Sequence, residues 1–345
     1  MKKKRLAGIF LAAVLAGCLT GCGSEGQQEQ SVAETLAEEK NTDGEAVSAE
    51  DGTQKNESAY RVGSALSDAY VNPKDYEVPE DKLKASGYEY DRDALHYELV
   101  WSDEFDYEGK PDESRWSYET GASGWGNHEL ENYTAGDNVT VADGRMTIEL
   151  RQEGGQYTST RLVSRKKGDW TYCKVEASVK LPTGLGTWPA FWMMPTDSVY
   201  GAWPASGEID IMEHVGYDQD VIVQTVHTAK NHGGQGKGKS FPTAGVSEEF
   251  HTYSIEWLPD KIIFGIDGED SFIYDPHDYG KQPTSELWPF DKNFFLIFNL
   301  AYGGDWGGAR GTDDACLPAE YVVDYVRVYQ SSEILEMTGQ KVGAE

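Results

Sequence analysis

The chain is poor in positive charge. Its 345 residues include 30 Lys or Arg against 59 Asp or Glu, which gives a formal net charge of -29 and a pI near 4.5. Binding to nucleic acid requires a basic surface, so this balance argues against a nucleic-acid partner. Cysteines are also few, four in all, and the sequence contains neither a zinc-like cluster of Cys and His nor a glycine loop that would cradle phosphate. The composition therefore favours a neutral partner, which aromatic and hydrogen-bonding side chains can hold without charge.

A long helical period is missing as well, across residues 97–330. Segments 177–180, 221–226 and 321–329 are instead rich in β-branched or aromatic residues, and turn residues separate such segments at short intervals. Residues 253–266 read as a hairpin, whose second strand ends at an Asp-Gly turn. The sequence thus predicts an all-β domain, and one sandwich can contain about 250 residues without dividing.

Three carboxylates stand close together in one predicted strand. The stretch Gly-Glu-Ile-Asp-Ile-Met-Glu-His contains Glu208, Asp210 and Glu213. The first two share one face of an extended strand, but strict alternation would turn Glu213 into the core. A one-residue bulge near Ile211 and Met212 would bury both of these apolar side chains and return Glu213 to the face of the other acids. The pattern therefore predicts three carboxyl groups on one surface.

Such a surface suits hydrolysis of a glycosidic bond with retention. One carboxylate attacks the sugar while a carboxylic acid about 5 to 5.5 Å away protonates the leaving oxygen. Asp210 and an ionised Glu208 would raise the pKa of Glu213 and so favour the protonated form that a general acid needs. Solvated acids on an outer strand face are an alternative, but the Trp-Pro-Ala-Ser-Gly sequence at 203–207 brings an aromatic platform and a glycine to these acids. A calcium-binding loop is a second alternative, but the spacing of the three acids does not fit an EF-hand.

These motifs resemble family 16 of the glycoside hydrolases, and within it the laminarinases. The resemblance rests on Trp-Pro-Ala-Phe-Trp-Met at 188–193 and on the run 203–213, which ends in Glu-x-Asp-x-x-Glu. This bulged spacing is typical of the endo-β-1,3-glucanases, whereas the bacterial lichenases have the shorter Glu-x-Asp-x-Glu. Further matches stand, in the family's order, at 99–105, 124–130, 294–301, 303–308 and 321–329.

The resemblance implies a jelly roll, in which two curved antiparallel sheets form a sandwich with a sugar-binding groove on the concave face. By position, Glu208 resembles the nucleophile, Asp210 its supporting acid, and Glu213 the general acid and base. These roles agree with the chemistry expected from the residues alone.

Aromatic and polar side chains complete the expected groove. Trp203 and Trp188 match stacking platforms, since the C–H faces of pyranose rings lie well on indole rings; packing in the core is their alternative role. Trp192 is expected in the core. The resemblance also places groove-lining polar groups at Asn127, Glu129, Arg161 and His227.

A structural calcium ion is common in the family, on the convex side away from the groove. The matching positions are Glu104, Gly144 and Asp324, and carboxylate and carbonyl oxygens are the ligands that calcium prefers. Ordinary surface acids and a turn glycine are the alternative. We expect no cofactor for catalysis.

Residues 1–22 are predicted to be a lipoprotein signal peptide. A basic start precedes an apolar run at 6–15 that is too short to span a bilayer as a mature helix but suits a secretion signal. Leu-Thr-Gly-Cys ends at Cys22 and Leu-Ala-Gly-Cys at Cys18, and both resemble the bacterial lipoprotein box. We favour lipidation of Cys22, with Cys18 as the alternative. Because two acyl chains anchor stably, we expect the protein at the cell surface, attached to a bacterial membrane, with secretion as the alternative.

Composition divides the rest of the chain. Residues 23–58 are acidic and almost free of large apolar side chains, so they cannot bury a core and should form an extended, disordered tether. Residues 59–96 lead into the domain, residues 97–330 form the catalytic domain, and residues 331–345 are predicted to be a short polar tail. We expect a monomer.

The sequence therefore leads to the hypothesis of a retaining endo-glycosidase that hydrolyses β-1,3 linkages in laminarin-type or mixed β-1,3/1,4 glucans. Both are neutral polysaccharides, and the acidic charge balance weighs against a sulfated galactan. One alternative is a lichenase-like specificity for mixed-linkage glucan. Another is a non-catalytic surface glucan-binding protein, but such relatives lack one or both glutamates, and this chain has both.

Overall fold

Strands make up most of the regular structure in the computed structural model, which describes residues 87–277 and 282–342. Several sequence predictions fall outside these residues: the signal peptide 1–22 with Cys18 and Cys22, the tether 23–58, and residues 59–86. Across the described ranges, no helix has the length and apolar character needed to cross a membrane.

Eighteen strands, three 3-10 turns and one short α-helix lie in the described residues. The strands are β1 (Tyr97–Asp103), β2 (Ser117–Glu119), β3 (Glu131–Tyr133), β4 (Val139–Ala142), β5 (Arg145–Glu153), β6 (Gln156–Ser159), β7 (Arg161–Val163), β8 (Asp169–Trp170), β9 (Lys174–Lys180), β10 (Thr187–Pro195), β11 (Glu208–Glu213), β12 (Val221–His227), β13 (Lys237–Pro242), β14 (His251–Trp257), β15 (Ile262–Ile266), β16 (Glu269–Tyr274), β17 (Phe294–Tyr302) and β18 (Ala319–Ser331). The 3-10 turns are Arg92–Ala94, Gly233–Gln235 and Asp314–Cys316, and the helix is α1 (Ser332–Thr338).

The strands form two sheets, and the described pairs are antiparallel apart from the parallel pair β3 and β6. The first sheet has ten strands in the order β16-β15-β14-β9-β18-β5-β6-β3, with β1 beside β18 and β4 beside β5. The second has eight, in the order β13-β12-β11-β10-β17-β7-β2, with β8 beside β17. One large hydrophobic core contains residues of both sheets. The fold is therefore the predicted all-β jelly-roll sandwich.

The eight-stranded sheet presents one face to this core and the other away from it. On β10, Phe191 and Met193 are fully buried in the core, and the Phe191 ring stacks on Phe298 of β17 with the ring centroids 4.5 Å apart. Burying one such side chain contributes roughly 1.5 to 3 kcal/mol. Trp188 and Trp192 alternate with these residues and point to the opposite side. We call that side of the eight-stranded sheet the groove face.

The predicted hairpin is present. β14 and β15 are antiparallel, and the turn between β15 and β16 contains Asp267 and Gly268 with φ values of 52° and 82°. Positive φ at both central positions is typical of a two-residue type I′ turn, which favours Asp-Gly.

Both ends of the described domain pack more closely than the composition suggested. In the leading segment, the Tyr90 hydroxyl donates to Asp260, and Arg92 bonds Glu256 at 2.6 Å and Asp270 at 2.5 Å. The last residues of the extension are therefore held against the ten-stranded sheet.

Residues 331–345, predicted to be a short polar tail, begin with a short helix. Helix α1 begins after Ser331, whose hydroxyl accepts from the Ile334 amide, and ends at Gly339 with φ 70°. Ile334 and Leu335 are buried. The average composition of the tail is polar, but two adjacent apolar residues are enough to fix one short helix on the domain.

Candidate active site

The bulge predicted in β11 is present. Its register with β10 shifts between Phe191 and Trp192, so that Ile211 is the extra residue. The pairing of β11 with β12 shifts at the same place. Ile211 and Met212 are both fully buried, and the three acids of β11 consequently share the groove face.

Each glutamate of β11 accepts a hydrogen bond from an indole. Trp203 Nε1 donates to Glu208 Oε2 at 2.9 Å, and Trp188 Nε1 donates to Glu213 Oε1 at 3.1 Å. Trp203 is 49% exposed, and the Trp188 ring meets Trp306 edge to face with centroids 5.2 Å apart. Both indoles lie on the groove face and not in the core. Each combines a flat surface that a sugar ring could cover with an N–H that donates to a carboxylate of β11.

His227 supplies the positive charge of this cluster. It lies on β12 opposite Glu208, and its Nε2 is 3.3 Å from Asp210 Oδ2 and 3.7 Å from Glu208 Oε1. Burial opposes the charged imidazole, but the hydrogen bond with Asp210 and the charge of Glu208 outweigh it and raise the pKa of His227 to about 9. At neutral pH the ring is therefore an imidazolium.

Glu213 is the carboxyl group most strongly held in its protonated form. Burial raises its pKa well above the ordinary value, and the negative charges of Asp210 and Glu208 raise it further, whereas His227 and the Trp188 indole act in the opposite direction. A carboxyl group that keeps its proton at neutral pH can act as a general acid. Proximity to Asp210 thus has the effect predicted from the sequence.

The pKa of Glu208 is raised less than that of Glu213. Burial and Asp210 raise its pKa to about 7, while His227, the Trp203 indole and Arg161 stabilise its anion. Of the two glutamates, Glu208 is therefore the one that ionises more readily, as a nucleophile must.

A metal site is the other chemistry that this cluster could provide. Among the described residues, one group of three or more His, Cys, Asp or Glu side chains places its ligand atoms within 4.8 Å of one another: Glu208, Asp210 and His227. A histidine ligand must be neutral, whereas both nearby acids favour the protonated ring. Without a metal ion, the imidazolium of His227 therefore supplies the positive charge of the cluster.

The polar residues predicted from the resemblance form a second cluster on the groove side. Glu129 accepts from Asn127 Nδ2 at 3.0 Å and from the Tyr133 hydroxyl at 3.1 Å. Arg161 begins β7, bonds Glu119 at 2.7 Å and stabilises the Glu208 anion. The structure thus brings Arg161 into electrostatic contact with the catalytic candidates, while Asn127 and Glu129 lie together beyond it.

The expectation that Trp192 lies in the core was wrong. Its side chain is half-buried on the groove face, where Arg161 lies over the ring at 4.6 Å and Nε1 donates to Asn299 at 2.7 Å. Asn299 in turn donates to the Tyr133 hydroxyl at 3.1 Å. Trp188 and Trp192 are four residues apart on one strand and so must share a face, which is the signal that could have placed Trp192 correctly.

Sequence reasoning gave no role to His232, yet its ring meets Trp203 edge to face with centroids 5.8 Å apart. Trp203 is also near the His227 ring, at 6.1 Å. No local pattern marks His232, because it follows β12 in a loop whose path is set by distant contacts. Lys230 of that loop, for example, bonds the backbone of Glu286.

The three positions predicted for calcium lie on the ten-stranded side of the molecule. Both carboxylate oxygens of Glu104 accept from Arg327, at 2.8 and 2.9 Å, and Arg145 is 3.8 Å from Asp324. Gly144 has φ 72° in the turn between β4 and β5, which is the turn role given above as its alternative. An arginine guanidinium therefore lies beside each of the two carboxylates.

A comparison with known families agrees with this site. The model of the family described as glycosyl hydrolases family 16 matches residues 126–327. The chain belongs to this family. It is therefore a glycoside hydrolase, and the retaining mechanism is typical of family 16.

Known proteins are similar to this chain over about two thirds of its length. A β-glucanase of Rhodothermus marinus is 49% identical over 249 residues, which cover 69% of this chain and 86% of that protein. The structure of the laminarinase from Rhodothermus marinus matches with a TM-score of 0.67 and 45% identity, covering 69% of this chain and 99% of that one. SCLam, a non-specific endo-β-1,3(4)-glucanase, matches with a TM-score of 0.64 and 41% identity, covering 69% and 93%.

Proposed function

We propose that this protein is a retaining endo-β-1,3-glucanase that acts on laminarin-type and mixed β-1,3/1,4 glucans. The observation that carries the proposal is the bulge of β11, which places Glu208, Asp210 and Glu213 on the groove face beside two indoles. The relatives named laminarinase and endo-β-1,3(4)-glucanase support the linkage. A lichenase-like specificity or a glucan-binding protein without activity is not favoured, because the bulged motif and both glutamates are present.

Each acid has a distinct role in the proposed double displacement. Ionised Glu208 attacks the anomeric carbon, while protonated Glu213 gives its proton to the leaving glycosidic oxygen. Glu213, now a base, then takes a proton from the water that hydrolyses the glycosyl-enzyme bond. Asp210 raises the pKa of Glu213, and the positive charge of the His227 imidazolium offsets the repulsion between the neighbouring negative charges.

The nucleophile can be tested by two substitutions. Glu208→Gln should lower kcat on laminarin by at least about 10⁴-fold with little change in laminarin affinity, because it removes the attacking oxygen and keeps the shape. Glu208→Ala with sodium azide should yield a glycosyl azide of inverted configuration, since the small anion can enter the space that the carboxylate leaves. The exposed Glu98 provides the matched control, and Glu98→Gln should be fully active. Substantial hydrolysis by Glu208→Gln would refute the assignment.

Substrate class can be tested by product analysis. Laminarin, mixed-linkage barley glucan, agarose and carrageenan are incubated separately with the enzyme, and the released oligosaccharides are identified. Laminarin should be cleaved fastest and into internal fragments. Preferential cleavage of barley glucan would favour the lichenase-like alternative, and tight laminarin binding without cleavage of any polymer would favour the binding protein.

We also propose, from the sequence, that the mature protein is a monomer held at the bacterial cell surface by a lipid on Cys22. Membrane fractions of cells that express the full chain should contain it, and Cys22→Ser should release it, whereas Cys18→Ser should not. If Cys18→Ser releases the protein and Cys22→Ser does not, the lipid is on Cys18. If the unsubstituted chain is found in the medium, secretion is supported. Sedimentation equilibrium of the domain without its lipid measures the molar mass in solution and so tests whether the protein is a monomer.

A structural calcium ion is supported by the resemblance alone, with oxygen ligands drawn from Glu104, Gly144 and Asp324. The ion would supply a link between the first and last strands. If it is bound, removal with EDTA should lower the melting temperature and added calcium should restore it, because a ligand of the folded state stabilises that state. The same melting temperature under both conditions would exclude the ion.

A further inference from the structure

A second pair of acids, Glu129 and Glu131, lies outside the group formed by Glu208, Asp210 and Glu213. Glu131 on β3 is fully buried. Its Oε2 accepts from the backbone amide of Tyr302 at 2.7 Å, and its Oε1, also buried, receives no hydrogen bond from a donor in the described part of the chain. A buried carboxylate oxygen without a donor is costly unless it carries a proton.

The neighbour that can accept such a proton is Glu129. Glu129 precedes Glu131 by two residues and raises its pKa both by its charge and as a side-chain hydrogen-bond partner, and an ionised carboxylate can only accept hydrogen bonds. One of the two must therefore be protonated. Glu129 already accepts from Asn127 and from the Tyr133 hydroxyl, which favours its anion, whereas Glu131 has the oxygen that lacks a donor. The geometry assigns the proton to Glu131 Oε1.

The charges around Glu131 agree with this assignment. Burial, the charge of Glu129 and a hydrogen bond with Glu129 raise the pKa of Glu131 to about 9, whereas the backbone amides of Tyr302 and of Glu131 itself act in the opposite direction. The Tyr302 hydroxyl donates to Asp314, another acid, at 3.0 Å, and Tyr133 on β3 is a neutral phenol whose ionisation burial disfavours. The guanidinium of Arg161 reaches Tyr133 electrostatically and is engaged with Glu119.

We propose that Glu131 is a positioning residue that stays protonated in the working enzyme and donates a hydrogen bond to Glu129, which fixes Glu129 for binding the sugar. The proposal rests on the proposed function, since Glu129 is expected to touch the glucan. It goes further by assigning a task to a buried acid that does not face the substrate. When pH rises above about 9, Glu131 ionises, two adjacent carboxylates repel each other, and Glu129 loses its fixed position.

Two variants of similar size distinguish a protonated from an ionised Glu131. Glu131→Gln copies the protonated acid, because the amide nitrogen can donate to Glu129 while the amide oxygen accepts from Tyr302. It should keep kcat/KM for laminarin within about threefold at pH 6 to 7. Its KM should also lack the increase above pH 8 that we expect for the unsubstituted protein, in which Glu131 ionises. Glu131→Met removes both the donor and the acceptor and should raise KM about tenfold or more with a smaller effect on kcat. If Glu131→Gln is as damaging as Glu131→Met, the proposal is overturned.

A stability measurement tests the proton without using any substrate. The pKa of Glu131 is about 9 in the folded protein against 4.5 for the ordinary group, so folding retains a proton that the unfolded chain loses. Between about pH 5 and 9, the unfolding constant of the unsubstituted protein should rise relative to that of Glu131→Gln by up to tenfold per pH unit. Parallel pH dependences would show that Glu131 is ionised and would overturn the proposal. If the protein cleaves no glucan, the proposed function fails, and this comparison still decides the state of Glu131.

Discussion

At the scale of single residues, the feature that organises the active site is a cation among acids. His227 lies between Asp210 and Glu208, and its charge lowers the pKa of both Glu208 and Glu213. Without this charge, an ionised Glu208 would be less favourable at neutral pH. His227 therefore acts on the reaction through the protonation of the residues beside it.

The first prediction concerns His227→Gln. Loss of the imidazolium should raise the pKa of Glu208, so that less of the nucleophile is ionised and the acidic limb of kcat/KM against pH moves to higher pH. On that limb, each pH unit of displacement lowers kcat/KM about tenfold. His96, an exposed residue, provides the control, and His96→Gln should leave the profile unchanged. An unmoved acidic limb in His227→Gln would contradict this role.

Much of the site could be predicted from the sequence at this scale, because strand alternation and the Glu-x-Asp-x-x-Glu spacing are local. They placed Glu208, Asp210 and Glu213 on one face and required the bulge that is present. The charge of His227 could not be predicted, since it depends on a neighbouring strand. Trp192 was expected in the core, although its spacing of four residues from Trp188 on one strand indicates that both side chains lie on the groove face.

At the scale of elements, the C-terminal helix shows how few residues attach a segment to a domain. Helix α1 has seven residues, and of these Ile334 and Leu335 are the buried ones. An isolated helix of this length is unstable in water. Its order therefore depends on these two side chains and on the cap residues at its ends.

The second prediction compares two truncations within this helix. Ile334→Ala should lower the free energy of unfolding by about 2 to 5 kcal/mol if the helix unfolds together with the domain, because it removes a buried side chain. Met337 is 38% exposed, so Met337→Ala should change the free energy by less than about 0.5 kcal/mol. Urea titration measures both. Equal midpoints for the two variants would mean that α1 does not take part in cooperative unfolding.

Elements defined by local chemistry were easier to predict than the order of strands. The Asp-Gly turn after β15 follows from the need for positive φ at both turn positions. By contrast, β18 pairs with β1, β5 and β9, which are far from it in the sequence, and no local pattern specifies such partners. The jelly-roll topology was accordingly expected from the resemblance and not from strand propensities.

At the scale of the whole molecule, four buried or half-buried groups give the free energy of unfolding the same dependence on pH. The pKa values of Glu131 and Glu208 are raised to about 9 and about 7, that of Glu213 is also raised, and that of His227 is raised to about 9. A raised folded-state pKa contributes stability fully below the unfolded-state value and loses it as pH rises through the folded-state value. The contributions therefore all decline between about pH 4.5 and 9.

The third prediction is that the protein is more stable at pH 6 than at pH 9. Each group that is still protonated in the folded state contributes up to about 1.4 kcal/mol per pH unit, so the urea midpoint should fall steadily over this range. Circular dichroism at fixed ionic strength measures the midpoints. A midpoint that rises toward pH 9 would contradict the protonation states assigned to these four groups.

The pairing of one indole with each glutamate of β11 gives the enzyme a built-in optical signal. Indole emission responds to the charge and polarity around the ring, and Trp203 and Trp188 each donate a hydrogen bond to one glutamate of β11, Glu208 and Glu213 respectively. Fluorescence of an unlabelled sample should therefore follow both the ionisation of the acids and the arrival of a sugar on Trp203. Replacing either tryptophan with Phe would assign the change to one of them against the background of the other eight tryptophans, since the chain has ten.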